Sequence, residues 1–364
     1  MTRSLFQKLA DRATVGLDIQ PLQFVEIRGD TTMQECIDVV SLAVERVGAV
    51  PCLNLTSIAR EAERIRTLSS DWLRQPSPFL LDLAGTVDAV IVIERDWSSL
   101  ASLCPAEKLE AWNQAVGLLV EQQESRRIPY CLIAHPEAKR QDQLLVSRTV
   151  AYEAIEAAIS ADVDAIRALL ASAKEIIDKG RVLEIRTRNH GCMRCDLGRP
   201  VYLSDGRLNS SLVMNLPYGS LSFTVPEDSV EGTICFDRWR DVRDLTVTFD
   251  GGRISNLSAA NGPEAFADFV GTHAGDRDRI SHIGIGVNPG IKRPTGLTTI
   301  DECKSGMVFV AFGENRFMGG KNESTLNIDL VCSGATVLCD ARYLVRDGRL
   351  AADFPQEQSQ DFYR

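Results

Sequence analysis

Ala89-Val90-Ile91-Val92-Ile93-Glu94 is a short apolar run, mostly β-branched, closed by a carboxylate. Such a run suits a parallel strand buried on both faces, because a half-exposed strand would alternate apolar with polar residues. The flanking sequence completes the pattern. Upstream, Phe24-Val25-Glu26-Ile27-Arg28-Gly29 reads as a strand ending at a glycine. Met33 to Val47 then carries Cys36, Val39, Val40, Ala43 and Val44 on one helical stripe, and Pro51-Cys52-Leu53-Asn54-Leu55 is strand-like. Downstream, a helix is expected from about Pro105 to Glu124 and a strand at Pro129-Tyr130-Cys131-Leu132-Ile133-Ala134-His135. A long helical segment follows from about Ser147 to Lys179 and stops at Asp178-Lys179-Gly180. Strands alternating with helices predict an α/β N-terminal domain with a mostly parallel, doubly wound sheet.

The pattern changes after Gly180. Strand signals dominate, with turns at Ser204-Asp205-Gly206, Asp250-Gly251-Gly252 and Arg346-Asp347-Gly348. Helical candidates remain at about Pro263 to Thr272 and near the chain end. This half reads as an α+β C-terminal domain with a mostly antiparallel sheet, carrying the functional site. The expected division is 1–180 and 181–364, with no Ser/Gly linker between closely packed units and no internal repeat.

The 364 residues, 44% of them hydrophobic, suffice for a large core in two domains. Fifty acidic residues against 40 basic give a formal charge of -10, and no basic run is interleaved with aromatics, so nucleic acid is not an expected partner. Apolar stretches are strand-sized, too short for a membrane span, and Met1-Thr2-Arg3-Ser4-Leu5-Phe6-Gln7-Lys8 lacks the apolar core of a secretory signal. Ten cysteines scattered along the chain fit a reducing cytoplasm. Cys52, Cys131, Cys235 and Cys332 lie in apolar runs and read as buried free thiols.

The chain has four histidines, His135, His190, His273 and His282, which limits conventional metal sites. His282 lies in Ser281-His282-Ile283-Gly284-Ile285-Gly286-Val287-Asn288-Pro289-Gly290, where glycines allow close backbone approach. Asp329 lies in Leu326-Asn327-Ile328-Asp329-Leu330, after Gly319-Gly320-Lys321, and strand alternation puts Asn327 on its face. One imidazole, one carboxylate and one amide would make a retuned two-His-one-carboxylate iron triad. A satisfied strand histidine and a surface Asn–Asp pair would give the same letters. Cys192-Met193-Arg194-Cys195 admits a zinc or redox role, but no second such pair exists and a structural reading stands beside it. Arg194 is separately a candidate for gripping an anionic substrate. The acids of Glu227 to Glu231 suit either metal or solvent. No nucleophile elbow, P-loop or dinucleotide fingerprint is present.

Three segments jointly resemble the aminopeptidase T family of metallopeptidases, and still more its oxygenase relative, 2,5-dihydroxypyridine 5,6-dioxygenase. They are Asn215-Leu216-Pro217 with Gly219, Phe223-Thr224, Pro226 and Glu227 to Thr233; Ser281 to Gly286; and Gly319-Gly320-Lys321 through Asp329. The resemblance spans roughly residues 180 to 350, while the first half is similar only in its α/β character. It implies that the peptidases' metal-binding glutamates fall at Ser220 or Leu221 and at His282, and a histidine at Phe309, so their two-metal hydrolysis is disfavoured. It implies that His282 and Asp329 match the first and third iron ligands of the dioxygenase, whose middle histidine is Asn327 here. The dioxygenase's substrate histidine falls near Arg194 and its pocket serine at Ala311. A dimer or higher homo-oligomer is implied as well.

These readings converge on an expectation. The chain would be a cytoplasmic, dioxygenase-like Fe(II) enzyme for a small anionic, aromatic or amino-acid-like substrate. His282, Asn327 and Asp329 would hold the metal, Arg194 and Arg316 the substrate, with Arg194 and Glu314 in catalytic roles. Two alternatives stand beside it: a metal-dependent aminopeptidase or amidase, and a metal-free lyase, isomerase or binding protein using Arg194, Cys192 and Glu314.

Overall fold

The structure, a computed structural model, describes residues 2–351 except Asp96, Arg140 and Arg199. The apolar run forms the strand Ala89–Ile93, buried at every position. It lies at the centre of a five-stranded parallel sheet whose spatial order is Val50–Thr56, Phe24–Asp30, Ala89–Ile93, Tyr130–Ile133 and Val213–Leu216. The last strand comes from beyond residue 180 and pairs in parallel with Tyr130–Ile133. Helices flank the sheet. Gln34–Arg46 buries the expected stripe of Cys36, Val39, Val40, Ala43 and Val44. A helix at Thr2–Gly16, outside the expected elements, buries Leu5, Phe6, Leu9, Ala10 and Ala13 beside it.

The long helical segment proves to be two helices, Arg148–Ile159 and Val163–Lys179. The break has a local cause: Asp162 leaves the helical conformation and its carboxylate accepts from the backbone N–H groups of Asp164 and Ala165, capping the second helix. Periodicity alone runs through such a break, because both helices keep an apolar face. The helical candidate near the chain end lies outside the described residues. No helix among the described residues is long and apolar enough to cross a membrane.

The second half forms two antiparallel sheets. An eight-stranded sheet runs from Arg253–Ser258 to Arg349–Leu350, and the predicted turns at Asp250-Gly251-Gly252 and Arg346-Asp347-Gly348 close two of its hairpins. A five-stranded sheet orders Asn327–Cys332, Val308–Gly313, Ile280–Gly286, Ser220–Thr224 and Val201–Ser204. One face of this last sheet carries the site. One hydrophobic core joins all three sheets, including Ile27, Ile133, Leu216, Phe223, Ile283 and Phe312. The cysteines are free; Cys131, Cys235 and Cys332 are buried, whereas Cys52, on an edge strand with one side unpaired, is only half-buried.

Candidate active site

Strand register explains how His282 and Asp329 meet. His282 stands opposite Ala311, and Ala311 opposite Asp329, so the two flank a methyl group on the middle strand. A larger residue at Ala311 would keep them apart. Instead His282 Nε2 and Asp329 Oδ1 stand 3.1 Å apart. On the same face, two residues earlier, Asn327 stands opposite Gly313. All three side chains line one cleft of about 180 Å³.

The cleft floor is the face of the five-stranded sheet that presents Tyr202, Ser204, Ser220, Ser222 and His282. Phe309 shares this face and its ring lies across Gly284, where an added Cβ would sit 1.9 Å from Cζ. Gly284→Ala is therefore expected to destabilise the fold by about 1–3 kcal/mol through overpacking. Denaturant unfolding checks this, and unchanged stability would mean that Phe309 swings away freely. The opposite wall is Val213 and Asn215 on the edge of the parallel sheet, with Asn209 and Ser211 in the preceding turn.

The backbone around His282 is locked. A β-bulge at Ser281 shifts the register between Ile280 and His282. Ser281 Oγ donates to Glu314 O at 2.6 Å and meets His282 Nδ1 at 2.9 Å. The serine's one proton is spent on the carbonyl, so Nδ1–H must donate to Oγ. That tautomer leaves the lone pair on Nε2, beside Asp329. Asn322 Nδ2 donates to Ile280 O and Gly313 O, and Asn315 Nδ2 to Ser281 O, tying the strand ends together.

Asp329 Oδ1 is buried and accepts no hydrogen bond; its approach to Nε2 is not aligned as one. With the imidazole neutral, two lone pairs face each other, which is unfavourable unless a proton or a metal cation lies between them. Two ligands about 2.1 Å from one metal at right angles stand about 3.0 Å apart, matching this spacing. The donor types, imidazole, carboxylate and amide, suit a divalent transition metal. Asn327 is exposed, and among the described residues no three His, Cys, Asp or Glu side chains converge as a metal-holding group. The residues fit a metal only with the amide as third ligand.

Glu302 is a cleft residue the sequence reading missed. It follows the helical turn Thr298–Asp301, is 6% exposed, and accepts from Asn215 Nδ2 at 3.3 Å. Burial foremost, then the charges of Asp329 and Glu94, push its carboxyl well above the usual carboxylate range. Nothing in Thr299-Ile300-Asp301-Glu302-Cys303 separates a buried acid from a surface one. Asp301 beside it, 1% exposed, receives Thr295 N and Oγ1 and Gly296 N at 2.6, 2.8 and 2.8 Å and so fixes the turn that presents Glu302.

The other expected site residues lie elsewhere. Arg194 is exposed on the eight-stranded sheet, opposite Glu184 and Glu231, and does not line the cleft. Glu314 accepts from Arg316 N and Nε and from Ser324 N, which makes it the staple of its loop. Arg316 is occupied with Glu314, while its neighbours Phe317 and Met318 reach the cleft. Cys192 is exposed and Cys195 buried on opposite faces of one strand, so the pair cannot share a zinc ion. Asp228 pairs with Arg279 and Glu227 accepts from Lys321 N, leaving neither directed at the cleft. His135 is buried against Phe6, and His273 bonds Thr325 O.

These sheets and the cleft between them define the aminopeptidase T-like fold. Wild-type AmpT from Thermus thermophilus superposes with a TM-score of 0.73 and 16% identity, over 96% of this chain and 100% of that chain. A 2,5-dihydroxypyridine dioxygenase from Pseudomonas putida KT2440 superposes with a TM-score of 0.61 and 15% identity, covering 97% of each chain. At these identities the likeness is one of fold. No protein-family model and no curated protein sequence matches the chain.

Proposed function

We propose that the protein is an enzyme acting on a small molecule at this cleft, with one divalent metal ion, Fe(II), held by His282, Asn327 and Asp329. The observation that carries the reading is the facing of the Nε2 lone pair and the unpaired Asp329 Oδ1 at 3.1 Å. Such an ion supplies Lewis acidity at a substrate oxygen and, as iron, an affinity for dioxygen. The protein's own groups do the rest. Ser281 holds the imidazole in the tautomer that offers Nε2. Phe309 and Phe317 stand edge-on to the imidazole, at 6.0 and 6.3 Å between ring centroids, and fix its plane. Glu302, its carboxyl raised by burial, is the candidate general acid of the cleft, placed to give a proton to a developing negative charge. The fold shared with a dioxygenase supports this reading. Hydrolysis by a two-metal site is less supported, because Ser220 and Phe309 line the cleft without a metal-binding group.

A second reading, a metal-free acid–base enzyme or binding protein, is favoured by the lack of a third His, Cys, Asp or Glu ligand among the described residues. In it a protonated His282 would supply the cation beside Asp329.

Metal analysis of protein purified without oxygen or chelators separates the two. Stoichiometric iron is expected, and a fully active protein without metal would overturn the first reading. Asn327→His would offer an imidazole in place of the amide of the proposed third ligand, and is expected to raise iron affinity at least ~10-fold, about 1.4 kcal/mol. Competition with a chelator measures it.

A further inference from the structure

The cleft carries an assignment that does not depend on the metal. Ser204 Oγ and Ser211 Oγ are both buried without a hydrogen-bond partner, and both line the cleft that holds the unpaired Asp329 Oδ1. Buried hydroxyls left unpaired are unfavourable, and their gathering at one cleft points to a ligand that pairs them.

Both serines sit on fixed backbone. Ser204 ends the strand Val201–Ser204, lies opposite Ser220, and its carbonyl accepts from Gly219 N at 2.8 Å. Ser211 sits in a turn that the Asn209 side chain closes, accepting from Ser211 N at 2.9 Å and Val213 N at 3.1 Å.

The charge of the cleft sets the class of ligand. Its lining groups of acid–base character are His282, Glu302, Asp329 and the Tyr202 phenol; no lysine or arginine is among the lining residues described. The arginines expected to hold an anion, Arg194 and Arg316, do not line it. In the cleft without metal, a carboxylate-bearing molecule would meet acids and uncharged hydroxyls instead; a bound divalent ion would add its own positive charge, so the metal-free cleft is the one whose preference is tested. Tyr202, Phe309 and Phe317 add aromatic surface suited to a flat, uncharged body.

We propose that Ser204 on the cleft floor and Ser211 on the opposite wall determine its specificity, and that the molecule they hold is uncharged, with carbonyl, amide or hydroxyl groups that exchange hydrogen bonds with them. This rests on the cleft being the substrate site, as in the function proposed above, but not on a metal being held there.

Benzamide and benzoate form the test pair, because they share shape and differ in charge. Titrations of each into the purified full-length protein, its metal content first measured and the metal then removed by chelation, followed by NMR, should show benzamide binding and benzoate binding at least several-fold more weakly. Ser204→Ala and Ser211→Ala should each weaken benzamide about fivefold, the loss of one neutral hydrogen bond. Their melting temperatures and metal content should stay at the wild-type values. Benzoate binding as tightly as benzamide, a double serine variant with undiminished benzamide affinity, or no benzamide binding at millimolar concentration would each overturn the assignment. Metal content in the same preparations reports separately on the metal reading, so the two can fail independently.

Discussion

Asp329→Ala is expected to lower the affinity for a divalent metal roughly a hundredfold or more, about 3 kcal/mol. Asp329 supplies the one anionic ligand; removing it leaves an imidazole and an amide, which hold such an ion weakly. The same variant should unfold at the same temperature as the metal-free wild type, or a little higher. The reason is that Oδ1 is buried without a donor and its carboxylate stands beside the carboxyl of Glu302. A residue kept for structure would behave in reverse, lowering stability and leaving metal binding alone. Inductively coupled plasma analysis together with thermal unfolding of metal-free samples reads both quantities. Undiminished metal content would place any bound metal away from this pair.

Asp301→Ala should be the costliest single change near the cleft, at about 3 kcal/mol. It strands the Thr295 and Gly296 N–H groups and the Thr295 hydroxyl, all now satisfied by one buried carboxylate. The cost should depend on pH. Burial raises the Asp301 carboxyl to about 6, with the bonds from Thr295 and Gly296 pulling the other way. A folded-state value above the unfolded one, near 3.9, means that the native state binds the proton more tightly. The group's contribution is therefore fully present below that unfolded value and is lost as pH rises through about 6. The gap between wild type and Asp301→Ala should widen by about 1 kcal/mol from pH 7 to pH 5. Urea unfolding at the two pH values measures it. A gap that narrows on acidification would mean that the hydrogen bonds to the ionised form outweigh its burial.

Residues close in sequence made much of the fold legible. Ala89–Ile93 reads as a doubly buried strand because its five positions need no partner to show their character. The stripe on Gln34–Arg46 and the glycine turns of the second half are likewise local. The break at Ser160-Ala161-Asp162 escaped because a capping aspartate looks like any polar residue on a helix. Asn327 and Asp329 share a face by alternation alone, so their companionship was readable. His282 was a candidate from its glycine-flanked segment, and the resemblance matched it and Asp329 to two ligands of one site.

The remainder of the site depends on strands distant in sequence. Arg194 looks like an anion hook in its segment, yet sheet pairing places it outside the cleft, opposite Glu184 and Glu231. Glu302 and Ser211 carry no local signal, and the turn at Ser204 and the motif at Asn215 do not say that these residues share a cleft. They reach one cleft because the edge of the parallel sheet comes up against the face of an antiparallel one.

The sequence by itself determined the alternation of strands and helices, the later antiparallel character, and the candidacy of His282, Asn327 and Asp329. Local side-chain periodicity encodes all of these except His282. It took the tertiary structure to show that Nε2 and Oδ1 meet over Ala311, that Glu302 is buried in the cleft, and that no lysine or arginine is among the residues described as lining it. Distances, burial and the sign of a cavity's charge arise from pairing between remote segments, which no single stretch of chain contains.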